Sequence, residues 1–254
     1  MNIHVARFSR PALASSCAAL VATLAACGGG GDGGVSAGTP AATPVSMTVS
    51  GTAASGKPLA GAAIGVSCVQ ASASTNAAAN GQFSLTLSAV PPCLITATAS
   101  GHTFHSVAFA SGTFNVTPVT DLLLGYIAGQ LGTNEAALLT GFAGSARFQQ
   151  VLGNQTDVLN AQAAVVSNLQ QRFALTLSVP DFLTTPFVPD NQGVDHDLTA
   201  LQAAGAIDDN GPQSATLSFV TAAGAAQPLA VTPPAATGGG GTGNAGSSNS
   251  GGMM

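Results

Sequence analysis

Charged side chains are scarce in this chain of 254 residues: they make up 6% of it, against roughly 25% in typical globular domains. Ten residues are acidic and five are basic, and only Lys57, Arg147 and Arg172 follow the first 26 residues. These three are too far apart in sequence to form a basic cluster. Because nucleic acids are held mainly by clustered lysine and arginine, we expect no nucleic-acid partner.

Residues that commonly carry recognition and catalysis are also few. There is no tryptophan and one tyrosine, whereas glycan sites commonly use exposed aromatic rings with a polar edge. The one Gly-x-Ser-x-Gly run, residues 34–38, lies in a segment predicted to be a flexible tether and not at a strand-to-helix turn, so it is no nucleophile elbow. There is no His-Glu-x-x-His, and Glu135 is the only glutamate. We therefore predict a non-enzymatic protein without catalytic or cofactor-binding residues. A triad of serine, histidine and aspartate is assembled in space, so an envelope hydrolase stays open as an alternative.

Metal-binding patterns are weak. His102 and His105 fall in a predicted strand, where their spacing places the two rings on opposite faces. The acidic segment 190–198 lacks the alternating oxygen ligands and the closing glutamate of a calcium loop. Asp195 is expected instead to stabilise the start of a short helix. We predict no metal-binding residue.

The first 26 residues have the three parts of a secretory signal: Arg7 and Arg10, an apolar run over 11–24, and small residues. The run is too short for a mature transmembrane helix, and glycines follow it where a stop-transfer signal would have basic residues. Residues 1–26 are therefore predicted to be a cleaved signal peptide.

The end of that segment, Leu24-Ala25-Ala26-Cys27, resembles the lipobox of bacterial lipoproteins. The resemblance implies that Cys27 becomes the first residue and is acylated on its thiol and amino group, and several acyl chains suffice to hold a domain on a bilayer. Gly28 follows, where an aspartate would favour the inner membrane, so the implied location is the outer membrane. An ordinary cleaved signal, with Cys27 as an incidental thiol, is the alternative.

Two of the four cysteines remain for the folded part, since Cys17 leaves with the signal and Cys27 takes lipid. Cys68 and Cys93 each lie in a predicted strand, and the compartment is expected to be oxidising. We predict a disulfide between them that joins two strands across the core.

Apolar and polar residues alternate over 45–117, and turn signals such as Asn80-Gly81 and Pro91-Pro92 separate the alternating runs. Six or seven short strands of this kind predict a small antiparallel β-sandwich. Four runs resemble the carboxypeptidase regulatory-like domain, a transthyretin-like sandwich: Val49-Ser50-Gly51, residues 56–66, Thr75-Asn76 and Asn80-Gly81-Gln82-Phe83. The resemblance implies a module that binds or spaces and does not catalyse.

Helical periodicity begins at Thr117-Pro118, an N-cap followed by proline at the first helical position, and 118–207 is predicted to be helical. Residues 208–231 are predicted to form a C-terminal β-hairpin, with Ser214 to Thr221 as one strand. Residues 27–44 are a predicted flexible tether, and 232–254 a disordered tail rich in glycine and serine. The expected fold class is α+β in two parts.

These features favour a non-enzymatic, membrane-anchored envelope lipoprotein that acts as a binding or structural module. Its expected partners are the membrane, through the N-terminal lipid, and an unknown envelope or surface protein. The alternative is an envelope hydrolase or a glycan-binding accessory protein.

Overall fold

Seven strands form the first half of the computed structural model, which describes residues 42–230. The strands are β1 (Val45–Thr52), β2 (Ala63–Cys68), β3 (Ser72–Asn76), β4 (Gln82–Ala89), β5 (Cys93–Ala99), β6 (His102–Ala108) and β7 (Gly112–Thr113). They make a three-stranded sheet in the order β4-β1-β7 and a four-stranded sheet in the order β3-β2-β5-β6. Every pair within these two sheets is antiparallel except β1 with β7.

The alternating residues place one face of each sheet in the core. Met47 and Val49 of β1 are buried, as are Ile64 and Val66 of β2. The inner faces meet where the sulfur of Met47 lies 3.9 Å from that of Cys93. The predicted β-sandwich is therefore confirmed.

The disulfide between Cys68 and Cys93 is present, as predicted. The two cysteines are register partners on β2 and β5, neighbouring strands of one sheet. The bridge thus joins adjacent strands and does not cross from one sheet to the other, which corrects that part of the expectation.

Six α-helices follow: α1 (Pro118–Gln130), α2 (Glu135–Gly141), α3 (Ala146–Gly153), α4 (Gln155–Phe173), α5 (Gly193–Ala203) and α6 (Ser214–Ala225). Proline begins α1 directly after Thr117, and asparagine side chains cap α2 and α4 by accepting backbone N–H groups. All 13 residues of α1 are buried, so this helix is the centre of the helical part.

The C-terminal β-hairpin is shorter than predicted and ends earlier in the sequence. It consists of β8 (Ile207–Asp208) and β9 (Gly211–Pro212), and the predicted strand from Ser214 to Thr221 is wrong because that segment belongs to α6. Leu217 and Phe219 alternate with polar residues, as in a strand. The buried residues, however, are Thr216, Val220 and Gly224, which recur every four residues and face α1.

The sandwich and the helices share one continuous hydrophobic core. The described residues form one compact unit, in which α1 packs against β6 and α6. None of the helices within residues 42–230 combines the length and apolar character needed to cross a bilayer. The predicted signal peptide, Cys27, most of the tether and the tail over 232–254 lie outside the described residues.

Candidate functional site

One edge of the four-stranded sheet, the one formed by β6, is covered by the first turn of α1. β6 is the edge strand, and its residue His105 has no strand on its outer side. Its backbone N–H donates to Asp121 Oδ1 at 2.7 Å, and its carbonyl oxygen accepts from the Thr120 hydroxyl at 2.6 Å. Two side chains of α1 thereby replace the missing strand partners, which protects the edge and fixes Asp121 beside the imidazole.

A third element completes a cluster of titratable side chains. Glu135 is the first residue of α2, and Asn134 caps that helix by accepting the Ala137 N–H at 2.9 Å. His105 Nδ1 lies 3.0 Å from Asp121 Oδ1 and 3.9 Å from Glu135 Oε1. One potential ligand atom from each residue lies within 4.8 Å of the other two. Strand β6 and helices α1 and α2 thus bring an imidazole and two carboxyl groups together.

Burial governs the electrostatics of this cluster. The side chains of Asp121 and Glu135 are 6% and 14% exposed, and that of His105 is 25% exposed. Burial raises the pKa of Asp121, although the hydrogen bonds and charge of His105 oppose the rise. Burial and the neighbouring charge of Asp121 raise the pKa of Glu135 to about 8. Glu135 therefore holds a proton at neutral pH, beside Asp121.

The cluster opens into a cleft of about 270 Å³. Leu139 of α2 forms part of its wall, and the turn of the β8–β9 hairpin, at Asn210 and Gly211, forms another part. Glu135 also lines a second, more apolar groove of about 540 Å³ between α2 and α6. The cluster is thus open to solvent through the cleft, which His105 and Glu135 both line.

Two kinds of chemistry suit this arrangement. An imidazole nitrogen and two carboxylates are ligands for a divalent transition-metal ion. A carboxyl group whose pKa lies near neutral pH, such as that of Glu135, is also suited to transferring protons. Among the described residues that line the cleft there is no serine or cysteine, so a covalent mechanism through either side chain has no support there.

The other residues singled out from the sequence lie elsewhere. His102 is on the same strand as His105 but outside the cluster. His196 is exposed, and Asp195 lies in the first turn of α5, where it accepts the Asn191 N–H at 2.7 Å. The residue at the N-cap is Gln192, so Asp195 is in the first turn and is not the cap. Cys68 and Cys93 form the disulfide, and Cys27 lies outside the described residues.

The cluster itself was missed by sequence reasoning. His105, Asp121 and Glu135 are separated by 16 and 14 residues and match no spaced motif. The one available signal was that the only glutamate directly follows a helix-capping asparagine, next to an apolar helix.

No protein-family model, curated protein or solved structure matches this chain. Function therefore has to be argued from its own residues.

The raised pKa of Glu135 predicts a pH dependence of stability. Its pKa is about 8 in the folded state against an ordinary 4.5, so the folded protein binds more protons between these values. The resulting stabilisation is fully present below pH 4.5 and is lost as the pH rises through 8. We expect the melting temperature, measured with a chelator present, to fall by at least a few degrees between pH 6 and pH 9.

Glu135→Gln is the matched control for this prediction, because its neutral amide imitates the protonated carboxyl group. The variant should show a shallower fall over the same pH range. Equal slopes for the wild type and the variant would mean that Glu135 titrates near its ordinary pKa when folded.

Proposed function

We propose that this protein is a non-enzymatic lipoprotein of the bacterial cell envelope, a binding or structural module anchored by acyl chains on Cys27. The Cys68–Cys93 disulfide carries the proposal, because such bridges form and persist in oxidising compartments outside the cytoplasm. The sequence Leu24-Ala25-Ala26-Cys27, at the end of an apolar segment, supplies the proposed anchor.

The fold class fits this role. The β-sandwich and the helices share one hydrophobic core, and the motifs within residues 49–83 resemble carboxypeptidase regulatory-like modules, which imply binding or spacing. The chain is poor in charge and has no basic cluster after residue 26, so the proposed partners are the membrane, through lipid, and an envelope or surface protein.

An envelope hydrolase is the second candidate, because two buried carboxyl groups, Asp121 and Glu135, lie with His105 in a cleft. Carboxyl groups with unequal pKa values can act as acid and base in hydrolysis. Asp121 is also committed to the backbone of β6, so the structural role of this carboxyl group favours the non-enzymatic proposal.

Fatty-acid labelling in bacterial cells tests the proposed anchor. The wild-type chain should incorporate labelled palmitate, and Cys27→Ala should lose at least nine-tenths of the label because the acylated residue is gone. Cys17→Ala is the matched control, since Cys17 lies in the proposed signal and should leave labelling unchanged. Equal labelling of the wild type and Cys27→Ala, or no labelling of the wild type, would overturn the proposal.

A further inference from the structure

We propose that His105, Asp121 and Glu135 form a binding site for one divalent transition-metal ion of the Zn²⁺ class. This inference goes beyond the proposed function, because metal binding in the cleft does not depend on acylation of Cys27. Three independent elements, β6, α1 and α2, contribute one ligand each, so the site exists only in the folded chain.

The distances suit a small ion. Metal–ligand bonds of about 2.0 to 2.2 Å in a tetrahedral site place neighbouring donor atoms about 3.4 Å apart. His105 Nδ1 is 3.0 Å from Asp121 Oδ1 and 3.9 Å from Glu135 Oε1, so the two distances lie on either side of that value. Small side-chain movements are enough to bring all three atoms into coordination.

The donor set and charge indicate which ion the cluster selects. One imidazole nitrogen and two carboxylates offer both nitrogen and oxygen, which suits Zn²⁺, Mn²⁺ and Fe²⁺. Ca²⁺ takes six to eight oxygen ligands, roughly twice the number of residues in this cluster. When both carboxyl groups are ionised, their two negative charges match one divalent cation.

Neighbouring groups hold the ligands in place. The backbone N–H of His105 donates to Asp121 Oδ1, which orients that carboxylate in the way that outer hydrogen bonds orient metal ligands. Asp121 is nine-tenths buried, whereas Glu135 and His105 border the cleft of about 270 Å³. The open side leaves the fourth position for water or for a donor group of a bound molecule, as in metal sites that keep an exchangeable ligand.

A purely structural role for the cluster is the competing explanation. Asp121 and Thr120 cover the edge of β6 by contacts to the backbone of His105, which need no metal. The test must therefore separate a bound ion from a hydrogen-bonded cluster. Replacing Glu135 separates the two explanations. Among the described residues, the Glu135 side chain makes no hydrogen bond to the backbone of β6, so its loss leaves that edge covered.

Isothermal titration calorimetry tests the site on the full, detergent-solubilised chain after chelator treatment. We expect one Zn²⁺ per chain with micromolar or tighter affinity. Glu135→Gln and His105→Gln should each weaken binding at least tenfold, while His102→Gln, on the same strand but outside the cluster, should bind as the wild type does. Ca²⁺ at tenfold excess should leave Zn²⁺ binding unchanged.

Cobalt absorption supplies a second measurement for any variant with altered folding. Co²⁺ should give the intense visible bands of a four-coordinate site in the wild type and in His102→Gln, and these bands should weaken in Glu135→Gln. Absence of Zn²⁺ binding at millimolar concentration would overturn the proposal. So would wild-type affinity in both Glu135→Gln and His105→Gln, or displacement of Zn²⁺ by Ca²⁺.

Discussion

Gly129→Ala is expected to lower the free energy of unfolding by about 3 kcal/mol, even though alanine is the better helix former. A Cβ atom at this position would overlap the carbonyl oxygen of Thr221 and lie 2.9 Å from the backbone nitrogen of Ala225. Both atoms belong to the backbone of α6, so neither can move away as a flexible side chain can. A Cβ at Gly224 would likewise overlap the Tyr126 carbonyl oxygen of α1. The close approach of α1 and α6 therefore requires glycine on both helices.

Thermal and denaturant unfolding measure this effect. A loss of about 3 kcal/mol corresponds to a fall in melting temperature of roughly 6 to 12 °C for a domain of this size. Gly144→Ala is the matched control, because a Cβ there meets no atom within 4 Å, and its change should stay within about 0.5 kcal/mol. If Gly129→Ala were as stable as Gly144→Ala, α1 and α6 would not be packed as described.

Removing the disulfide should destabilise the protein by about 3 to 4 kcal/mol, since it closes a loop between residues 25 apart in sequence. The Cys68→Ala, Cys93→Ala double variant is expected to melt roughly 6 to 16 °C below the oxidised wild type. Treating the wild type with a reductant strong enough to open the bridge should give a similar fall.

The double variant also controls for side effects of the reductant, because it has no bridge to open. Reductant should leave its melting temperature unchanged. The test is to unfold the wild type without reductant and then add a thiol reagent. If Cys68 and Cys93 react with it, the bridge is absent.

The strands and most helices followed from local patterns in the sequence. Met47 with Val49, and Ile64 with Val66, alternate with polar residues, and a period of two leaves a sheet one buried face. The start of α1 could also be predicted from the sequence, because Thr117 and Pro118 favour the N-terminus of a helix whatever that helix packs against.

The errors arose where distant contacts decide the structure. Residues 214–221 alternate as a strand does, but the glycines of α1 give this segment a surface on which only a helix packs closely. Asn80-Gly81 does form a tight turn, with the Gly81 N–H donating to the Ala78 carbonyl oxygen at 2.9 Å. This turn carries the chain from one sheet to the other, between β3 and β4, which no local signal specifies.

The candidate site illustrates the same limit. His102 and His105 lie three residues apart in one strand, so their rings are on opposite faces and cannot share an ion. The partners of His105 come from α1 and α2, and they reach it because the edge of β6 needs hydrogen-bonding groups that α1 supplies. Such a cluster follows from the packing of helices on a sheet edge.

The intact mass of the protein extracted from bacterial membranes tests the proposed envelope lipoprotein most directly. We expect a chain that begins at Cys27, carries the added mass of acyl chains on that residue, and lacks the two hydrogens lost in the Cys68–Cys93 bridge. A mass that corresponds to an unacylated chain, whether it retains residues 1–26 or is cleaved at another position, would contradict it.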